Sequence, residues 1–200
     1  MHRTRSPQRE TSTVREILIP CVTLTVICIL IGLLLAATNA VTAPRISELQ
    51  LQTQAESRRM VLPEAADFSG EKTVSLSGTD YTYCEGIRSD GSCAGYVFTT
   101  SAKGYGGDVV VMSGVSADGI ITGIQTLELN ETAGLGMKAA EEDFLTQYNG
   151  KAGKIGVAKN DPGENDIQAL TGATITSQAV TDSVNTALKL YELVKEGGVS

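Results

Sequence analysis

Thr171-Gly172-Ala173-Thr174-Ile175-Thr176-Ser177, near the C-terminal end of the chain, reads as a tight turn of small residues running straight into a helix. Val180, Val184, Ala187, Leu188, Tyr191 and Val194 follow at helical spacing. They predict an amphipathic helix from about Thr176 to Lys195, stopping at Gly197-Gly198. A helix start carries unpaired N–H groups and the positive end of a dipole, so it favours an anion such as a phosphate. Gly172 and Ala173 would let a bulky phosphate ester reach the backbone, and Thr174 offers a hydroxyl at the same point. The same residues also read as an ordinary cap, with Thr171, Thr174, Thr176 or Ser177 satisfying the free N–H groups.

Upstream of this helix the period changes. Short β-favouring runs lie at 73–76, 81–84, 95–100, 109–112 and 120–129, and Ala117-Asp118-Gly119 between the last two is a hairpin signal. Lys138 to Tyr148 predicts a helix and Lys154 to Ala158 a short strand. A polar loop with Asp161-Pro162-Gly163 follows. The expected fold class is α+β: one compact domain with a mostly antiparallel sheet and flanking helices.

Before the domain lies a different kind of segment. Ile17 to Ala37 is 21 residues without a charge, long enough to cross a bilayer core of roughly 30 Å as a helix. Pro20 falls in the first turn, where a missing N–H costs little. The run exceeds the roughly 7–15 apolar residues of a cleaved signal, although Val41-Thr42-Ala43 resembles a cleavage site. It reads as an uncleaved anchor. Residues 1–16 hold four arginines (Arg3, Arg5, Arg9, Arg15) against Glu10 and Glu16, so the tail carries +2 and the remainder −9 of the formal −7. That bias predicts a cytoplasmic N-terminus, a single pass through the cell membrane and an extracytoplasmic domain. Pro44 to Arg59, rich in Gln, Glu and Ser, reads as a helical stalk that Met60-Val61-Leu62-Pro63 ends. The expected organisation is a tail 1–16, a transmembrane helix 17–37, a stalk 38–62 and a domain 63–200.

Composition removes several chemistries. No basic stripe points to nucleic acid. The only histidine is His2, which leaves the domain without a Ser-His-Asp or Cys-His site, a histidine metal site or a histidine haem ligand. No metal motif is present. Chemistry must come from carboxylates, hydroxyls or a bound cofactor. Cys21 and Cys28 lie seven apart in the membrane run and read as packing residues. Cys84 and Cys93 flank a turn at Ser89-Asp90-Gly91 and suit either a hairpin disulfide or free thiols.

Thr171-Gly172-Ala173-Thr174, with Ile175-Thr176-Ser177 and Ala179-Val180 behind it, resembles the Ser/Thr-Gly-Ala-Thr signature of the FMN-binding domain family. Glu131-Thr132-Ala133-Gly134-Leu135-Gly136 is similar to that family's Glu-Thr-Pro-Gly-Leu-Gly loop. Gly104-Tyr105-Gly106-Gly107 and Arg58-Arg59-Met60-Val61-Leu62-Pro63 complete the likeness over 58–190. It is strongest to the G subunits of Rnf-type ion-translocating ferredoxin:NAD oxidoreductases. The C subunits of sodium-translocating NADH:quinone reductases share the domain.

The resemblance implies FMN esterified through its phosphate to Thr174, by a separate flavin transferase that takes FMN from FAD. Glu131 and Thr132 are implied to hydrogen-bond the flavin or its ribityl chain, and Leu135 to give it an apolar contact. Gly134 and Gly136 would allow close approach, and the backbone of Thr171, Gly172, Ala173, Ile175 and Thr176 would neutralise the phosphate charge. The implied role is electron transfer beside other membrane and iron–sulfur subunits, the chain itself holding no catalytic residue. A membrane-anchored flavin sensor without turnover, and an unmodified structural protein, are the other readings. Two positions depart from the family pattern. Ala133 stands where proline is usual, which implies a looser loop. Gln168 stands where an acid often precedes the signature, which implies slower flavin attachment; the nearest acid is Asp166.

Overall fold

The computed structural model describes residues 8–197. Residues 1–7, which include His2, Arg3 and Arg5, lie outside them, as do Gly198 and the side chains of 8–16. The chain divides into two compact units, 1–52 and 53–200.

Helix α1 (Gln8–Val61) is continuous in secondary structure, and its stretch Ile17–Ala43 is long and apolar enough to cross a membrane. Within it the hydroxyls of Thr23, Thr25 and Thr38 donate to the carbonyls four residues back. In the second unit Ser57, Val61 and Leu62 are buried, so the last two turns of what reads as stalk are part of the domain's packing.

The domain is built on an antiparallel sheet of β1 (Asp67–Phe68), β2 (Lys72–Leu76), β3 (Thr79–Ile87), β4 (Cys93–Lys103), β5 (Asp108–Ser116) and β6 (Ile121–Leu129). The order is β1-β3-β4-β5-β6, with β2 also on β3. The strands outrun their β-favouring cores because hairpin pairing continues to the turns: Lys103 still pairs with Asp108, and Gly95 with Ser116.

Alternation along β5 sorts the two faces. Val109, Val111 and Val115 enter the larger core beneath the C-terminal helix α3 (Thr174–Lys195), with Val180, Val184, Ala187, Leu188 and Tyr191 opposite. Met112 faces the other way, into a smaller cluster with Val61, Leu62, Cys84, Ala94 and Val97. There the end of α1 lies in a slot lined by glycine. A Cβ on Gly114 would overlap the Val61 carbonyl, and one on Gly86 the Leu62 side chain. Thr122 Oγ1 donates to the same Val61 carbonyl.

Several expectations need correction. Lys138 to Tyr148 is not one helix: a 3-10 turn (Gly136–Ala140), a four-residue α2 (Glu142–Leu145) and a second 3-10 turn (Thr146–Tyr148) replace it. Extended backbone at Glu141 breaks the run, and burial of Phe144, Leu145 and Tyr148 orients the pieces. The polar loop contains a strand, β8 (Asp166–Gln168), parallel to β7 (Gly156–Ala158). The C-terminal helix begins at Thr174, two residues early. For Cys84 and Cys93, which the sequence leaves open to either state, the thiols are free. Cys84 sits opposite Val97, four positions along β4 from Cys93 and so about 13 Å away, beyond the reach of a disulfide.

Candidate functional site

Three loops meet at the start of α3. The first is the signature turn. Ala173 N–H donates to the Leu170 carbonyl at 3.0 Å, and Gly172 takes φ +80°, the positive value that the third position of a type II turn demands. Gly172 is also close to Leu135: a Cβ there would meet Leu135 Cδ2 at 3.2 Å.

The second loop repeats this geometry. Leu135 N–H donates to the Thr132 carbonyl at 3.2 Å, with Gly134 at φ +76°. Ala133 is thus the second residue of a type II turn, the position where proline fits. Gly136 is buried and has no room for a side chain: a Cβ would lie 2.8 Å from Glu131 Cβ and 2.9 Å from Thr176 Oγ1.

The third loop is the tip of the β4–β5 hairpin, Gly104-Tyr105-Gly106-Gly107. Gly104 N–H donates to Gly107 O at 2.8 Å, and Lys103 Nζ stands 3.2 Å from Asp108 Oδ1 across the base. Glu131 ties this tip to the second loop. Its Oε1 accepts from Tyr105 N–H at 2.7 Å and its Oε2 from Gly106 N–H at 3.2 Å.

Between the three loops lies an open groove of about 590 Å³, lined by Tyr105, Glu131, Thr132, Leu135, Gly136, Gly172, Ala173, Thr174, Ile175 and Thr176. Its volume lies in the range of small-molecule sites. Of the residues singled out from sequence, all but two line it. Gly134 is spent on the turn. Thr171 faces a neighbouring hollow with Lys138, Gln147 and Gln168. Tyr105 is the addition; an aromatic ring between glycines at a hairpin tip was the signal available in the sequence.

The ordinary-cap reading does not describe this helix start. Ala173 is the cap residue and no side chain caps the helix. Ser177 Oγ instead accepts from Leu170 N–H at 2.9 Å and donates to Ala173 O at 3.0 Å, closing the signature turn from behind. The N–H groups of Thr174, Ile175 and Thr176 meet no protein acceptor among the described residues, and Thr176, although buried, lines the groove there. Unpaired donors at a helix start suit an anion. The rim is apolar: Leu135, Ile175 and Tyr105 are 46%, 55% and 72% exposed. An anion-accepting end joined to an apolar rim fits a phosphorylated, flat aromatic ligand such as FMN.

Both carboxylate oxygens of Glu131 are engaged by the hairpin backbone, each by one N–H. Asp166 and Gln168 are held by different partners. Asp166 Oδ2 accepts from Gly163 N–H at 3.1 Å within its own loop, whereas Gln168 is exposed and bonded through its N–H to Gln147 Oε1 at 2.7 Å. Among the described residues no cluster of His, Cys, Asp and Glu could hold a metal.

Residues 104–189 match the model of the FMN-binding domain family. The chain is 42% identical over 175 residues to the G subunit of the Na(+)-translocating ferredoxin:NAD(+) oxidoreductase complex of Acetobacterium woodii, covering 79% of this chain and 83% of that protein. It is 32% identical over 167 residues to the proton-translocating counterpart of Clostridium ljungdahlii, covering 83% and 86%. Among solved structures, the C subunit of the Na(+)-translocating NADH-quinone reductase from Parabacteroides distasonis shares the fold. The TM-score is 0.53 at 19% identity, over 70% of this chain and 93% of that one.

Proposed function

The chain belongs to the FMN-binding domain family, in the branch of G subunits of ion-translocating ferredoxin:NAD(+) oxidoreductase complexes, and from that premise we propose that it is a membrane-anchored electron-transfer protein with FMN carried on Thr174. The observation that carries this reading is the groove at the start of α3. Thr174 is the first residue of the helix, and it lines the groove beside three unpaired N–H groups.

In the attachment step a flavin transferase joins Thr174 Oγ to the FMN phosphorus of FAD. The Oγ–P bond forms, the bond between the two phosphates breaks, AMP leaves and the hydroxyl proton is released. Thereafter Thr174 is a tether and takes no part in turnover. The N–H groups of Thr174, Ile175 and Thr176 hold the phosphodiester charge. Gly172 and Gly136 keep the backbone close to the ligand, and Leu135 and Ile175 shield its apolar part from water. Bound FMN supplies electron exchange in single steps, which no side chain of this domain offers. The partners are the other membrane and iron–sulfur subunits of an Rnf-type complex, and α1 anchors the domain on the extracytoplasmic side. The two relatives differ in the ion that their names carry, and the apolar stretch of α1 has no Asp, Glu, Lys, Arg or His to form an ion path.

The test is intact mass and in-gel fluorescence of the full chain made with its flavin transferase. The expected result is an added mass of one FMN less a water, absent in Thr174→Ala and kept in Thr176→Ala. A wild-type chain of unmodified mass overturns the proposal. Co-purification with iron–sulfur subunits separates this reading from a solitary flavin sensor, which would come away alone.

A further inference from the structure

Tyr105 is the most exposed large apolar side chain among the described residues of the domain, at 72%, yet its backbone is tied to a neighbouring loop. Its N–H is held by Glu131 Oε1 at 2.7 Å. The flanking glycines sit against the second loop: a Cβ on Gly104 would overlap Glu131 Oε1, and one on Gly106 the Asn130 carbonyl. The ring itself stacks on no other aromatic side chain among the described residues and borders the groove. A backbone held at its N–H and carrying an uncovered aromatic ring at the edge of a cavity is the arrangement of a wall awaiting a flat partner. A side chain of two χ angles also loses little freedom when it is covered.

We propose that Tyr105 packs its ring against the isoalloxazine of the bound FMN, and that Glu131 is the positioning residue that holds it there through the hairpin backbone. The inference rests on the reading that the groove carries FMN. It gives Glu131 a role through Tyr105 in place of direct contact with the flavin. Of the charged side chains that line the groove, Glu131 is the only one. Its two oxygens accept from the backbone N–H groups of Tyr105 and Gly106 and so hold the hairpin tip against the groove.

A phenol in contact with isoalloxazine quenches its fluorescence, because an electron passes to the excited ring and returns. The experiment uses the full flavinylated chain in detergent, with fluorescence normalised to covalent flavin. Tyr105→Leu is expected to raise emission several-fold, while Tyr105→Trp stays quenched; Tyr105 is exposed, so neither disturbs the core. Glu131→Ala is expected to raise emission as Tyr105→Leu does, with thermal melting close to wild type. Glu131→Gln, which keeps an acceptor for Tyr105 N–H, is expected to restore most of the quenching. Emission per flavin unchanged in Tyr105→Leu overturns the ring contact. A rise in Tyr105→Leu with none in Glu131→Ala overturns the positioning role alone. A wild-type chain that carries no flavin overturns the functional reading itself, which separates that failure from the other two.

Discussion

Ala133 is a residue whose meaning depends on one hydrogen bond. In sequence it is a departure from a proline-bearing loop; in the structure it is the second position of the Thr132–Leu135 turn, closed at 3.2 Å. Proline there matches the backbone the turn already requires, and the Ala133 N–H donates to no protein acceptor among the described residues. Ala133→Pro is therefore expected to stabilise the domain by about 0.5 kcal/mol, chiefly by restricting the unfolded chain; a lowered midpoint in urea would show that the turn cannot take it. The cysteines make a second residue-scale case. Burial pushes the Cys84 thiol up, against the smaller opposing effect of the Arg58 guanidinium, and less thiolate means slower alkylation. In the native protein at mildly alkaline pH, iodoacetamide is expected to modify half-buried Cys93 well before Cys84, and both equally after denaturation. Mass mapping of the labelled sites checks this, and equal native rates would contradict the packing around Cys84. The turn residues were legible in the sequence, since Gly172 and Gly134 have few uses other than a positive φ. The engagement of Glu131 was not, because its partners lie in another hairpin.

At the scale of elements, the joint between α1 and the sheet is the feature that local patterning hid. Val61 and Leu62 read as the end of a stalk, yet they fill the smaller core beside Met112 and Val97. Gly114 leaves the space that admits them. Gly114→Ala is expected to cost about 3 kcal/mol by forcing the helix end off the sheet, whereas Gly70→Ala, with nothing within 4 Å of its Cβ, should change the melting temperature little. A calorimetric scan of the two variants checks the contrast. On the opposite face, Tyr148 donates its hydroxyl to Thr181 Oγ1 at 2.7 Å, and Thr181 in turn donates to the Ser177 carbonyl at 2.9 Å. Tyr148→Phe removes one buried hydrogen bond and leaves Thr181 satisfied as a donor. The expected loss is about 1 kcal/mol, read from the urea midpoint, with flavin attachment at Thr174 unaffected. The β-favouring run at 109–112 and the 3.6 period of α3 were visible beforehand. The broken segment 136–148 was not, because each piece is shorter than the window in which periodicity speaks and is held by what it packs on.

For the whole molecule, the prediction concerns sidedness. If the arginines of the tail hold the N-terminus inside, protease added to intact cells should remove the domain and spare an epitope placed before Ile17; survival of the domain until the membrane is opened would reverse the orientation. The membrane run, the α+β class, the main hairpins and the helix behind Thr174 were determined by the sequence alone. Each rests on charge, period or turn chemistry among neighbouring residues, and such short-range preferences act before any packing. Tertiary structure alone decided that the tip at 104–107, the turn at 132–135 and the turn at 170–173 enclose one groove. It also placed β8 beside β7, kept Cys84 apart from Cys93 and turned the Glu131 carboxylate toward the hairpin. Those outcomes depend on which surfaces face each other across the core, where the fit of distant side chains and the pairing of buried polar groups outweigh local preference.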